Sequence, residues 1–192
     1  MSEITKRAME ASLKNLLLKK PLRKITINDI TEDCGISRMT FYYHFKDIYD
    51  LVEWSCVEDA TKALQGKKTY STWQEGFLNI LHAVLDNKPF IMNVYNSVSR
   101  DQVERYLYQL TYDLLIGVVE EQSTGMSVRQ EDKEYIAHFY KYAFVGIMLD
   151  WIREGMKTDP QRIVDGVSVV VHGSIRNALE GYRKDKHMLL IY

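Results

Sequence analysis

The sequence predicts an all-α chain in two parts, a three-helix helix-turn-helix head over residues 1–50 and a helical body over residues 51–192. Three observations carry that prediction. Apolar residues recur at helical spacing along almost the whole chain. Residues 25–51 hold two short helical patterns on either side of Gly35, followed at once by a third. Pro21, Pro89 and Pro160 stand where helices stop or start, because proline cannot continue a helix but suits its first turn.

Taken in order, the first helix is expected over about Ser2 to Lys19, with Ile4, Ala8, Ala11 and Leu16 on its apolar side and Pro21 ending it. Thr26 stands at an N-cap position, with Ile27 and Ile30 at helical spacing behind it. Gly35 supplies the left-handed conformation of a sharp turn. Ser37 caps the next helix, whose Met39, Thr40, Tyr42 and Tyr43 are too large and polar to be filler, while Phe41 and Phe45, four apart, face the core of the head. That anatomy is the one in which a second helix enters the DNA major groove. Asp47 and Asp50 favour the start of a fourth helix, continued by Leu51, Val52, Trp54, Val57 and Ala60. Gln65–Ser71 reads as the junction between head and body.

The body continues the pattern. Trp73, Phe77, Ile80, Leu81, Val84 and Leu85 mark a helix stopped near Asn87 and Pro89, and Phe90, Ile91, Val94 and Tyr95 a shorter one. Val103, Tyr106, Leu107, Leu110, Leu114 and Val118 form a long stripe that ends before Gly125. A further helix is expected from about Glu131 to Arg153. Thr158-Asp159-Pro160 starts the last, in which the valine-rich run Gly166–Ile175 reads as helix because of its spacing and capped start.

Residues 25–51 resemble the N-terminal domain of TetR-family transcriptional regulators through Ile30, Gly35, Ile36, Ser37, Thr40, Phe41, Tyr42, His44 and Phe45, with Asp47 and Leu51 beyond. The resemblance covers about the first 55 residues. The body is similar, more loosely, to the Firmicutes-type C-terminal domain of that family through Trp73, Asn87–Phe90 and Trp151–Met156 leading to Pro160. Relatives of that type include regulators of dihydroxyacetone-kinase operons, activators that work with a kinase-like protein partner. The resemblance implies that Tyr42 and His44 bond backbone phosphates, that Thr26 does so from the preceding helix, and that Lys46 adds charge. It departs at Ile48, where the family usually carries Lys. Ser37, Arg38, Met39, Thr40 and Tyr43 are the candidates to face base edges, with Arg38 suited to guanine.

Charge distribution agrees. Residues 1–46 carry nine Lys or Arg against five Asp or Glu, whereas the remainder carries sixteen against twenty-one. A basic head on an acidic body suits a protein that presents one end to phosphates. Cys34 and Cys56 give no disulfide framework, and no signal peptide or membrane-length apolar run is read, so the expected location is the cytoplasm. Cys34 reads as a small buried residue rather than a redox sensor.

Because one head makes too few contacts for a specific site, a homodimer on a palindrome of double-stranded DNA is expected. As in the family, the last two helices would form the dimer surface, with Gly166 and Gly173 seven apart on one face beside Val170, and Gly146 on the preceding helix. The resemblance also implies a ligand pocket in the body. Trp73, Phe77, Tyr106, Tyr112, Phe139 and Tyr142 are candidates to line it, with ordinary core as the other reading. His82, His138 and His172 lack ligand spacing, so no metal is assigned, and no cofactor is expected. No nucleophile elbow, zinc-binding His-Glu-x-x-His or glycine-rich phosphate loop points to an enzyme. The regulator is thus expected to be a repressor released by an unknown effector. The alternative is an activator or co-regulator switched by a protein partner, with the apolar tail Met188–Tyr192 as a docking segment or buried against the body.

Overall fold

A computed structural model describes residues 2–64, 66–67, 69–98 and 100–183, including the side chains except those of 2, 100–103, 105, 106, 109 and 110. The tail Met188–Tyr192 and the Tyr106 side chain lie outside the described residues. Among the described residues the regular structure is all helical: α1 (Ser2–Leu17), a 3-10 turn (Leu22–Lys24), α2 (Ile27–Cys34), α3 (Arg38–His44), α4 (Ile48–Leu64), α5 (Trp73–Asp86), α6 (Lys88–Ser97), α7 (Arg100–Gln122), α8 (Gln130–Arg153), α9 (Pro160–Val171) and α10 (Ser174–Gly181). None of these helices is long and apolar enough to cross a membrane.

The chain packs as two units. One comprises Met1–Lys62 and Ala83–Tyr106, the other Ala63–His82 and the chain from Leu107 onward, so the divisions fall within α4, α5 and α7. In the first unit Met9, Leu13 and Leu17 of α1 meet Ile30, Phe41, Phe45, Leu51 and Val52, and α6 adds Phe90 and Val94. Fully burying such a side chain contributes about 1.5–3 kcal/mol. Asn93 of α6 fixes the α1 exit. Its Oδ1 accepts from the Leu22 amide at 3.0 Å, and its Nδ2 donates to the Leu17 carbonyl at 3.1 Å. Those are orphan groups of a helix end and the following turn, and a side chain remote in sequence satisfies them.

Charges tie α1 to α4. Lys14 Nζ donates to Glu10 Oε1 at 2.8 Å and to Asp59 Oδ2 at 2.7 Å, Ser55 donates to Glu10 at 3.0 Å, and Arg7 pairs with Glu10 and Glu58. Burial alone would raise the Glu10 carboxyl, but donation from Lys14, Ser55 and Arg7 outweighs it and holds the group below its ordinary value. Both cysteines are free and half-buried, with Cys34 and Cys56 packed on the head core. Burial, helped by nearby Asp59, pushes the Cys56 thiol up to about 12, which makes it unreactive.

In the second unit α8 is the central core helix, burying Ile136, Tyr140, Phe144, Val145, Met148, Trp151 and Ile152. Phe144 meets Trp73 and Phe77 of α5 at ring-centroid distances of 5.5 and 5.0 Å. Tyr140 donates to Ser174 of α10 at 2.7 Å, and the Trp151 indole donates to the Thr158 carbonyl at 2.8 Å. Asp159 caps α9 by accepting from Gln161 and Arg162, with Pro160 in the first turn as expected. The single long terminal helix expected from the valine-rich run is broken. The α9 helix stops at Val171, and Gly173 at φ 70° begins α10.

Candidate nucleic-acid interface

The geometry of α2 and α3 follows from local chemistry. The Thr26 hydroxyl accepts from the Asp29 amide at 3.2 Å, and Asp29 Oδ2 accepts from the Thr26 amide and hydroxyl, each at 2.7 Å. This reciprocal capping box satisfies orphan donors at the start of α2. Lys20 Nζ sits 2.7 Å from the other Asp29 oxygen. Donation from Lys20, then from the Thr26 amide and hydroxyl, lowers the Asp29 carboxyl to about 2. At the far end Gly35 adopts φ 64°, its amide donating to the Glu32 carbonyl at 3.2 Å and that of Ile36 to Thr31 at 2.9 Å. That is a Schellman turn, which a side chain at Gly35 would strain.

Ser37 then caps α3. Its Oγ accepts from the Thr40 amide at 3.1 Å and lies 2.9 Å from the Thr40 hydroxyl. The helix is strongly two-sided: Phe41 and, just beyond it, Phe45 are buried, whereas Met39 and Tyr43 are each 82% exposed. Arg38 and Tyr42 share the open side, with Arg38 Nη2 3.4 Å from the Tyr42 hydroxyl. Tyr43 packs its ring edge-on against His44 at 4.9 Å. Lys46 is exposed, and its amide donates to Asp50 Oδ2 at 2.8 Å, while the Asp50 amide donates to Asp47 at 2.9 Å, so the two carboxylates expected at the start of α4 do cap it. Ile48 turns into the head core.

The other candidates fall in separate places. Trp73 and Phe77 are buried around Phe144 and form ordinary core there. Phe139 and Tyr142 lie exposed on α8, apart from the buried Trp73 and Phe77; a stripe of rings does not reveal which face packs inward. Tyr112 stacks on His138 at 4.6 Å and 26°, and Tyr142 meets Tyr108 edge-on at 5.1 Å. Gly146 and Gly166 are exposed with open space where a Cβ would stand, and Val169 and Val170 are 80% and 75% exposed. Gly166 and Gly173 do not share a helix face, because the positive φ of Gly173 separates α9 from α10. Sequence reasoning missed Asn93 and the Arg7–Glu10–Lys14 network. It also missed Lys141, a buried lysine on α8. A polar residue at an otherwise apolar helix position, such as Asn93 between Ile91 and Val94, was the available signal.

Residues 11–53 match the family described as bacterial regulatory proteins, tetR family, and residues 71–173 match its transcriptional regulator C-terminal region. The chain is 24% identical over 156 residues to the HTH-type dhaKLM operon transcriptional activator DhaS of Lactococcus lactis, covering 80% of this chain and 82% of that one. Among solved structures it is similar to a dihydroxyacetone kinase operon activator DhaS, with a TM-score of 0.69 and 18% identity over 94% of this chain and 99% of that one. It is also similar in fold to NalD of Pseudomonas aeruginosa, described as the secondary repressor of the MexAB-OprM multidrug efflux pump. There the TM-score is 0.55 and the identity 16%, over 96% of this chain and 100% of that one. With a capped helix-turn-helix head and a matched C-terminal region that spans more than half of its length, the chain belongs to the TetR family of transcriptional regulators, a family without enzymatic activity.

Proposed function

We propose that the protein works in the cytoplasm as a homodimer on a palindromic operator, and that an effector bound to its body releases it. The observation that carries the DNA reading is the two-sidedness of α3, which buries Phe41 and leaves Arg38, Met39, Tyr42 and Tyr43 open on one short, capped helix. Tyr42, His44, Lys46 and Thr26 would position the head on phosphates, and Ser37, Arg38, Met39, Thr40 and Tyr43 would read bases. Thr26 can donate to a phosphate only by turning its hydroxyl away from Asp29. The exposed valines of α9 and the open glycine positions support the dimer, because an unpaired apolar face is stabilised by a second copy. Two heads about 34–36 Å apart would then meet successive major grooves.

The sign of regulation has a second reading. Similarity to the DhaS activator over most of the chain favours an activator, for which the switch would be a protein partner rather than a small molecule. Binding-site selection from a random duplex pool, followed by footprinting and a promoter reporter, tests both. A palindrome overlapping the core promoter with derepression on gene deletion supports the repressor. A palindrome upstream with loss of expression supports the activator. Selection of no common sequence refutes operator binding.

A further inference from the structure

The second unit holds a buried lysine that pairs with no described carboxylate. Lys141 is 8% exposed in the middle of α8. Its Nζ donates to His138 Nδ1 at 2.8 Å and stands 4.7, 5.3 and 5.7 Å from the ring centroids of Tyr142, Tyr108 and Tyr112. Among the described residues no carboxylate lies within ion-pair distance of it. An ammonium has three N–H donors, of which His138 takes one. Ring faces attract a cation but do not replace a counter-ion, and a buried charge without one is costly. A neutral His138 that accepts through Nδ1 carries its proton on Nε2, so the exposed ring offers a second donor beside Lys141.

The surroundings select the kind of anion. Tyr112 stacks on His138, and Tyr108 stands edge-on to Tyr142, so the groups around the ammonium are flat and aromatic. Burial first, then the negative field of Glu134, Asp113 and Glu120, raises the Tyr112 hydroxyl above its ordinary value. That field opposes every anion and a multiply charged one such as phosphate most, whereas one ammonium balances one carboxylate. We propose that Lys141, with His138 beside it and Tyr108, Tyr112 and Tyr142 around it, forms a seat for an organic monocarboxylate with a flat apolar body. The proposal rests on the reading of the body as an effector-binding domain and names the chemical class of that effector.

The test titrates benzoate, its neutral analogue benzamide, and inorganic phosphate into the purified full-length chain without DNA, following tyrosine fluorescence and melting temperature. Benzoate should bind saturably and raise the melting temperature, with benzamide and phosphate at least tenfold weaker. Lys141→Met, which keeps the stem but not the charge, should lose at least tenfold in benzoate affinity. Benzamide or phosphate binding as well as benzoate overturns the proposal, and so does unchanged benzoate binding by Lys141→Met. If that variant does not fold, the comparison of benzoate with benzamide on the unaltered chain decides alone. Sedimentation addresses the other source of a carboxylate, a second copy of the chain: loss of dimer in Lys141→Met without benzoate selectivity overturns the proposal in favour of an intersubunit ion pair. Because no DNA is present, failure here leaves the operator-binding reading untouched.

Discussion

Replacing Arg38 by Ala separates reading of sequence from attachment to the backbone. Arg38 is exposed in the first turn of α3, and its contacts are a long 3.4 Å hydrogen bond to the Tyr42 hydroxyl and a position 6.0 Å from that ring. Neither anchors the helix, and Ala is at least as good a helix former, so the folding cost should stay within about 0.5 kcal/mol. A guanidinium that bonds guanine O6 and N7 supplies about 1–3 kcal/mol of discrimination, roughly 5- to 150-fold in affinity at one base pair of each half-site. The assay compares wild type and Arg38→Ala on a set of operators changed one base pair at a time, at several salt concentrations. Preference should relax at one symmetric position while the salt slope stays unchanged. An equal loss on every sequence, with the slope reduced by about one, would place Arg38 on a phosphate and refute the reasoning.

Three further outcomes are expected. Tyr42→Phe and His44→Ala should weaken binding to operator and random duplex by similar factors in mobility shifts; a loss confined to the operator would make them base readers. Asp29 has a folded value of about 2, below its ordinary 3.8, so its contribution to the α2 cap is complete above about pH 4 and disappears as pH falls toward 2; an NMR titration in which the Asp29 carboxyl has a midpoint near 4 would contradict the capping box with Lys20. Val170→Asp places a charge on the open face of α9 and should shift sedimentation from dimer to monomer with no change in helical content, and an intact dimer would remove α9 from the interface.

What could be read from the sequence was what local chemistry decides. Thr26, Gly35, Ser37, Asp47 and Asp159 act on amides or carbonyls only a few residues away, so their caps and turns could be placed from spacing alone. The buried Phe41 and Phe45 follow from a four-residue repeat in the same way. Pairings remote in sequence were not legible. Asn93 meets Leu22 only because α6 packs into the head core; its place among apolar neighbours marks it as a polar residue turned inward, but nothing local names its partner. Lys141 reads as a surface charge until its ring neighbours on α7 and α8 are placed. The valine run through α9 continues its helical pattern into α10, so only backbone geometry reveals the break at Gly173.

The central claim is that α3 gives this chain sequence-specific attachment to duplex DNA, and competition mobility shifts over a salt series test it most directly. The selected operator and a random duplex of equal length are titrated side by side with the full-length protein. Affinity for both should fall linearly on a log–log plot as counterions are displaced, with a slope of about 0.9 per phosphate contacted. The operator should remain tighter than the random duplex by about 10³-fold or more at physiological salt. A flat salt response, or equal affinity for the two duplexes, would contradict the account.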